Sequence, residues 1–112
     1  MTTRKAGLGE LETLVMLAVL RLSERADARH IRAEMDERAG RAISRGAMYA
    51  TLARMERKGL LRVSSAGGDA GQRGAPQRFE VTDSGLETLR EAQANLDRMR
   101  EGLGALLRSE GR

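Results

Sequence analysis

The chain has 112 residues, 40% of them hydrophobic and 32% charged, with a net charge of +4. That is one globular domain with a modest core, marginal enough in size to gain from a partner subunit. With no cysteine and a single histidine, His30, it has no disulfide, thiolate metal site or histidine cluster for zinc or a triad. Its carboxylates are scattered among arginines, so neither an enzyme nor a cofactor is expected. No apolar run reaches the roughly 18 residues of a membrane span. Glu10 and Glu12 fall where a signal peptide would be uninterrupted and apolar, so the expected location is the cytoplasm.

Leu8, Leu11, Val15, Ala18 and Leu22 recur at helical spacing and predict a first helix of about 15 residues. Its apolar arc is wide enough to face both its own domain and a second surface. Asp27 then reads as the N-cap of a second helix with Ala28, Ile31 and Met35 inward, ending near Gly40. After a short turn, Ser44 caps a third helix, with Ile43 and Met48 placed for a hydrophobic staple, and Gly59 ends it. Helices two and three thus have helix-turn-helix spacing.

The third helix is unusual in its outer face. Met48, Leu52 and Met55 form the core stripe, which leaves Gly46, Ala50, Ala53 and Arg57 roughly opposite and Arg54 beside them. Solvated helix faces normally carry long charged side chains, whereas small residues let another macromolecule come close. Ordinary composition of an alanine-rich helix is the alternative.

Beyond it, Leu61 and Val63, then Phe79 and Val81, alternate with polar residues as half-buried strands do. The Gly-rich stretch 66–76 between them is longer than a tight hairpin needs and carries Arg73, with Arg78 close behind. It has the character of a wing. Thr82 caps a last helix predicted to run through "DSGLETLREAQANLDRMREGLGALLRSE". There Leu89, Ala92, Leu96, Met99, Leu103 and Leu106 step by three and four as a helix-pairing seam. Gly102 and Gly104 weaken its far end. The alternative is that this helix folds back on its own core.

Charge is concentrated in the middle. Residues 41–78 hold eight Arg and Lys against two carboxylates, a net +6, while residues 1–40 are neutral and residues 79–112 carry −2. A basic segment between neutral and acidic ones suits a polyanion, nucleic acid first. The fold expected is mainly α (α+β), a winged helix-turn-helix over residues 8–81 followed by a C-terminal dimerisation helix over 82–112.

At "GAMYATLARMERKGLL", with "LETLVMLAVL" before it and "RFEVTDSGLETL" after it, the chain resembles the PadR family of transcriptional regulators from Leu8 to about Leu107. The "YATLxRMERKGL" core is more specific than a generic winged helix requires. The resemblance implies a homodimer on a pseudo-palindromic DNA operator, with the third helix in the major groove, the wing at or near the minor groove and the C-terminal helix as dimerisation arm. Repression is the family's usual mode. Gly46 and Ala50 then bring the helix backbone close to base edges in a groove roughly 12 Å wide. Ser44 and Arg45 suit phosphate, as helix N-termini and arginine do. The Tyr49 hydroxyl suits it too, a partly buried core position being its alternative; Arg54 and Arg57 are placed for the DNA backbone. Arg73 and Arg78 suit the minor groove or flanking phosphates. Two features depart from the family. "DARHI" stands where many members carry a Tyr-Gly pair near the start of the second helix. Tyr49 and Phe79 are also the only aromatics, which gives a planar small-molecule effector little to stack on. A winged helix acting as a protein-protein module without DNA is the competing function; heparin retention with strong salt dependence separates the two.

Overall fold

The computed structural model describes residues 8–64 and 76–108. The expected wing, with Arg73, lies outside the described residues. In chain order come α1 (Glu10–Leu22), a 3-10 turn (Ser23–Arg25), α2 (Ala28–Ala39), α3 (Arg45–Arg57), β1 (Leu61–Ser64), β2 (Arg78–Val81), α4 (Asp83–Arg100) and a short α5 (Gly104–Leu107). This mainly helical arrangement with one small antiparallel sheet is a winged helix.

Local chemistry accounts for most of the boundaries. Asp27 accepts the His30 amide at the start of α2, Ser44 the Ala47 amide at the start of α3, and Thr82 the Gly85 amide at the start of α4. Each satisfies one of the amides that a helix start leaves without a partner. Gly40 ends α2 at φ +63°. At the end of α3, Gly59 takes φ +79°, and the Leu60 and Gly59 amides return to the Met55 and Glu56 carbonyls, a Schellman arrangement that needs a left-handed residue at that point.

α1, α2 and α3 close around Val15, Met16, Ile31, Met35, Met48 and Leu52, and the core continues through Leu60, Leu61, Phe79 and Leu89. β1 and β2 pair with Leu61 opposite Val81 and Val63 opposite Phe79, so the alternating apolar residues share the inner face. The segment before α2 adds a further rung: the Phe79 amide donates to the Ala26 carbonyl at 3.0 Å, and Asp27 bridges Arg78.

The C-terminal region differs from the single long helix the seam predicts. α4 ends at Arg100, Gly102 turns the chain at φ +83°, and α5 is a separate short helix. Two glycines within three residues cost more conformational entropy than a helix without tertiary support recovers. Leu103 and Leu106 therefore do not continue the α4 stripe. Leu89 is also only 4% exposed, packed in the core of its own chain, and Ala92 is half-buried. Leu96, Met99, Leu103 and Leu106 are all exposed, Met99 to 76% and Leu106 to 81%.

Candidate nucleic-acid interface

The outer face of α3 is open. Gly46, Ala50, Ala53 and Arg57 are exposed, while Met48, Thr51, Leu52 and Met55 are buried beneath them. A Cβ at Gly46 would meet nothing within 4 Å, so no packing requirement within the protomer keeps that position small. At the start of the helix, Ser44 is exposed and already engaged by the Ala47 amide. The exposed Arg45 stands at this helix start, where the dipole favours an anion.

The cations divide into two groups. Arg41 pairs with Glu10 at 3.3 Å, Arg62 with Glu80 at 3.2 Å, and Arg54 and Lys58 both with Glu12. Among the described residues, no ion pair engages Arg45, Arg57 or Arg78. Charge without an ion pair is thus present at the start and outer face of α3 and on β2. Arg54 does not belong with it: its Nε is turned toward α1, 3.5 Å from the Glu12 carboxylate.

A concavity beside the start of α3 extends this basic surface to residues that the sequence pattern left out. The cap residue Asp27 and Arg29 and Arg32 of α2 line it, with Arg45 and Tyr49 from α3 and Gln77 next to β2. Tyr49 is 52% exposed, on the wall of this concavity, and so is not a core residue. Arg32 also donates from Nε to the Ile43 carbonyl at 3.1 Å, tying α2 to the turn before α3. Arg29 and Arg32 sit three residues apart near one helix start, the spacing that places two side chains on one face. Net charge by segment hides them, because residues 1–40 sum to zero.

Two carboxyls in this region have depressed pKa values. Burial raises that of Asp27, but bonds from the His30 amide and ring, with the nearby His30 and Arg29 charges, outweigh it and hold the group below its ordinary value. His30 Nδ1 lies 2.8 Å from Asp27 Oδ1. Burial likewise raises Glu12, and the bonds and charge of Lys58, the Gly9 amide and Arg54 together lower it further than burial raises it. Among the described residues no group of three His, Asp or Glu could hold a metal ion, and no helix is long and apolar enough to cross a membrane.

No protein-family model matches the chain, and no curated protein does. Solved structures do. A PadR family transcriptional regulator from Eggerthella lenta is 30% identical, with 89% of this chain and 84% of that one covered, at a TM-score of 0.61. The chain belongs to the PadR family of transcriptional regulators. A PadR-like transcription factor from Bacteroides fragilis is 25% identical over 86% of this chain and 88% of its own, at TM-score 0.65. A PadR-like regulator from Bacillus cereus, at 20% identity, 88% and 94% coverage and TM-score 0.63, adds support for the fold alone.

Proposed function

We propose that this PadR-family chain is a sequence-specific DNA-binding regulator, a cytoplasmic repressor that acts as a homodimer on a pseudo-palindromic operator. The observation that carries this reading is the face of α3: Gly46, Ala50 and Ala53 are all exposed, with open space at Gly46, and are flanked by Arg45 and Arg57 free of ion pairs among the described residues. A helix face that is small at its centre and cationic at its edges suits a major groove, backbone against base edges and arginines against phosphates. Arg29, Arg32, Arg45 and Tyr49 would hold the adjacent phosphates, and Arg78, with Arg73 of the stretch expected to form a wing, the flanking ones. The exposed Leu96, Met99, Leu103 and Leu106 would meet a second copy, with Ala92 at their edge.

Selection of bound duplexes from a random library tests the reading. It should return two related half-sites separated by about one helical turn, 10–10.5 bp, or a multiple of it. Ala50→Glu keeps helix propensity at an exposed position, so stability should change by no more than about 0.5 kcal/mol. Affinity for the selected site should nevertheless fall by about a hundredfold or more, since bulk and negative charge enter the contact. A library that yields no enriched sequence, with the A50E variant indistinguishable from the parent, would move the protein-partner module ahead.

A further inference from the structure

Glu12 is a buried carboxylate that the DNA-binding reading does not use. It sits in the first turn of α1, 5% exposed, yet it serves three partners. Its Oε1 accepts the Gly9 amide at 3.4 Å, closing the start of α1. Its Oε2 lies 2.8 Å from Lys58 Nζ and 3.5 Å from Arg54 Nε. Lys58 and Arg54 are four residues apart at the end of α3, on one side of the helix. The contact joins segments 46 residues apart in sequence, so it fixes tertiary placement and not merely helix formation.

Arg54 has another place to go. Four residues after Ala50, it lies only about 40° round the helix from the centre of the small outer face. Its side chain is 43% exposed. An arginine at that angle would reach a phosphate beside the groove if nothing held it back. Charge-assisted bonds to a carboxylate with little access to water are the strong kind, because solvent competes poorly for either partner.

We infer that Glu12 is a positioning residue for the recognition helix: its buried carboxylate seats the end of α3 on α1 through Arg54 and Lys58 and thereby withholds these two cations from DNA. The inference rests on the reading that α3 faces DNA. The contact then acts on both sides of recognition. It fixes the angle at which the small face meets base edges, and it trims sequence-independent phosphate attraction, so that discrimination depends more on the face itself.

The test measures binding to a random duplex and to a selected operator as a function of salt, for wild type, Glu12→Gln, Arg54→Ala and Arg45→Ala. Each phosphate contact contributes about 0.9 to the slope of log K against log salt. Arg45→Ala should lower the slope by about one, which checks the DNA reading independently. Arg54→Ala should leave it unchanged. Glu12→Gln should steepen it by about one to two on the random duplex and reduce the operator-to-random ratio by about tenfold, as freed cations add attraction and α3 loses its seat. A purely structural role for Glu12 would not steepen the slope. A drop of about one in Arg54→Ala, or an unchanged slope in Glu12→Gln, overturns the inference while Arg45→Ala still supports DNA binding. If instead the wild type binds no duplex, the DNA reading fails, and with it the withholding of cations. Hydrogen exchange then decides the seating: amides 52–58 should exchange about tenfold faster in Glu12→Gln, and unchanged exchange overturns it. Should Glu12→Gln fail to fold, Glu12→Leu with Lys58→Met replaces the pair by apolar contact. It frees Arg54 alone, for a slope increase of about one.

Discussion

Asp27 shows how much one side chain can carry in a domain of this size. Its Oδ1 accepts the His30 amide at 2.9 Å and meets the His30 ring at 2.8 Å, which caps α2, while its backbone bridges to Arg78 on β2. The cap thus lies where α2, the sheet and the basic concavity come together. Its ionised form is favoured in the folded state: the pKa lies below the ordinary value of 3.8, as that of Glu12 lies below 4.5. A carboxyl depressed on folding stabilises fully above its unfolded-state pKa and loses that contribution as pH falls through its folded-state pKa. The contribution of these two carboxyls to the urea midpoint should therefore decline below about pH 4.5, first from Glu12 and then from Asp27. Asp27→Asn keeps an acceptor for the cap and removes the charge. It should lower stability by about 1 kcal/mol at pH 7, with the gap to wild type closing as pH falls below the ordinary 3.8. A gap that persists unchanged at pH 3 would assign the loss to packing and not to charge.

Elements were legible in the sequence wherever a nearby residue defines them. Asp27, Ser44 and Thr82 act as caps and Gly59 as a stop because each bonds within a few residues of itself, and the inward stripes of α2 and α3 follow from spacing. What depends on distant neighbours was not legible. Glu12 looks like an interruption of an apolar helix until Lys58 arrives beside it, and Arg29 and Arg32 look like solvated charges until α3 packs next to them. The seam misled for a related reason: its three-and-four rhythm runs through Gly102, but the rhythm says nothing of the backbone conformation that breaks the helix there. A second distant contact sets the attachment of α4. The Thr82 amide donates to the Leu60 carbonyl at 3.1 Å, the Thr82 hydroxyl donates to the Gly59 carbonyl at 2.5 Å, and Gly85 lies so close that a Cβ would run into the Leu60 carbonyl oxygen. Backbone meets backbone here, so neither side can yield as a flexible side chain would. Gly85→Ala should cost about 2–3 kcal/mol despite the higher helix propensity of alanine. Thermal melting at several protein concentrations measures it, and a variant as stable as wild type would mean that α4 can move away from Leu60 without loss.

At the scale of the whole molecule, the apolar residues of the C-terminal region divide by the partner they have. Leu89 is finished within the protomer, while Leu96, Met99, Leu103 and Leu106 remain exposed. Truncating the two kinds should therefore produce different losses. Leu89→Ala opens a cavity in the core and should lower stability by about 2–5 kcal/mol, with the folded fraction assembling as before. Leu96→Glu removes nothing from that core, so the protomer should fold normally. In a dimer that buries this position the glutamate has no solvent, and the penalty of several kcal/mol falls on association. Sedimentation at micromolar concentration should show wild type at twice the 12.2 kDa protomer mass and the Leu96→Glu variant at 12.2 kDa. DNA binding sharpens the distinction, because two linked half-sites reinforce one another only while the protomers are joined. Leu96→Glu should lose most of its operator affinity yet keep random-duplex affinity per protomer, since the α3 surface is intact. If the variant still sediments as a dimer, α4 and α5 are not the interface, and the exposed Leu17 and Leu20 of α1 become the surface to substitute next.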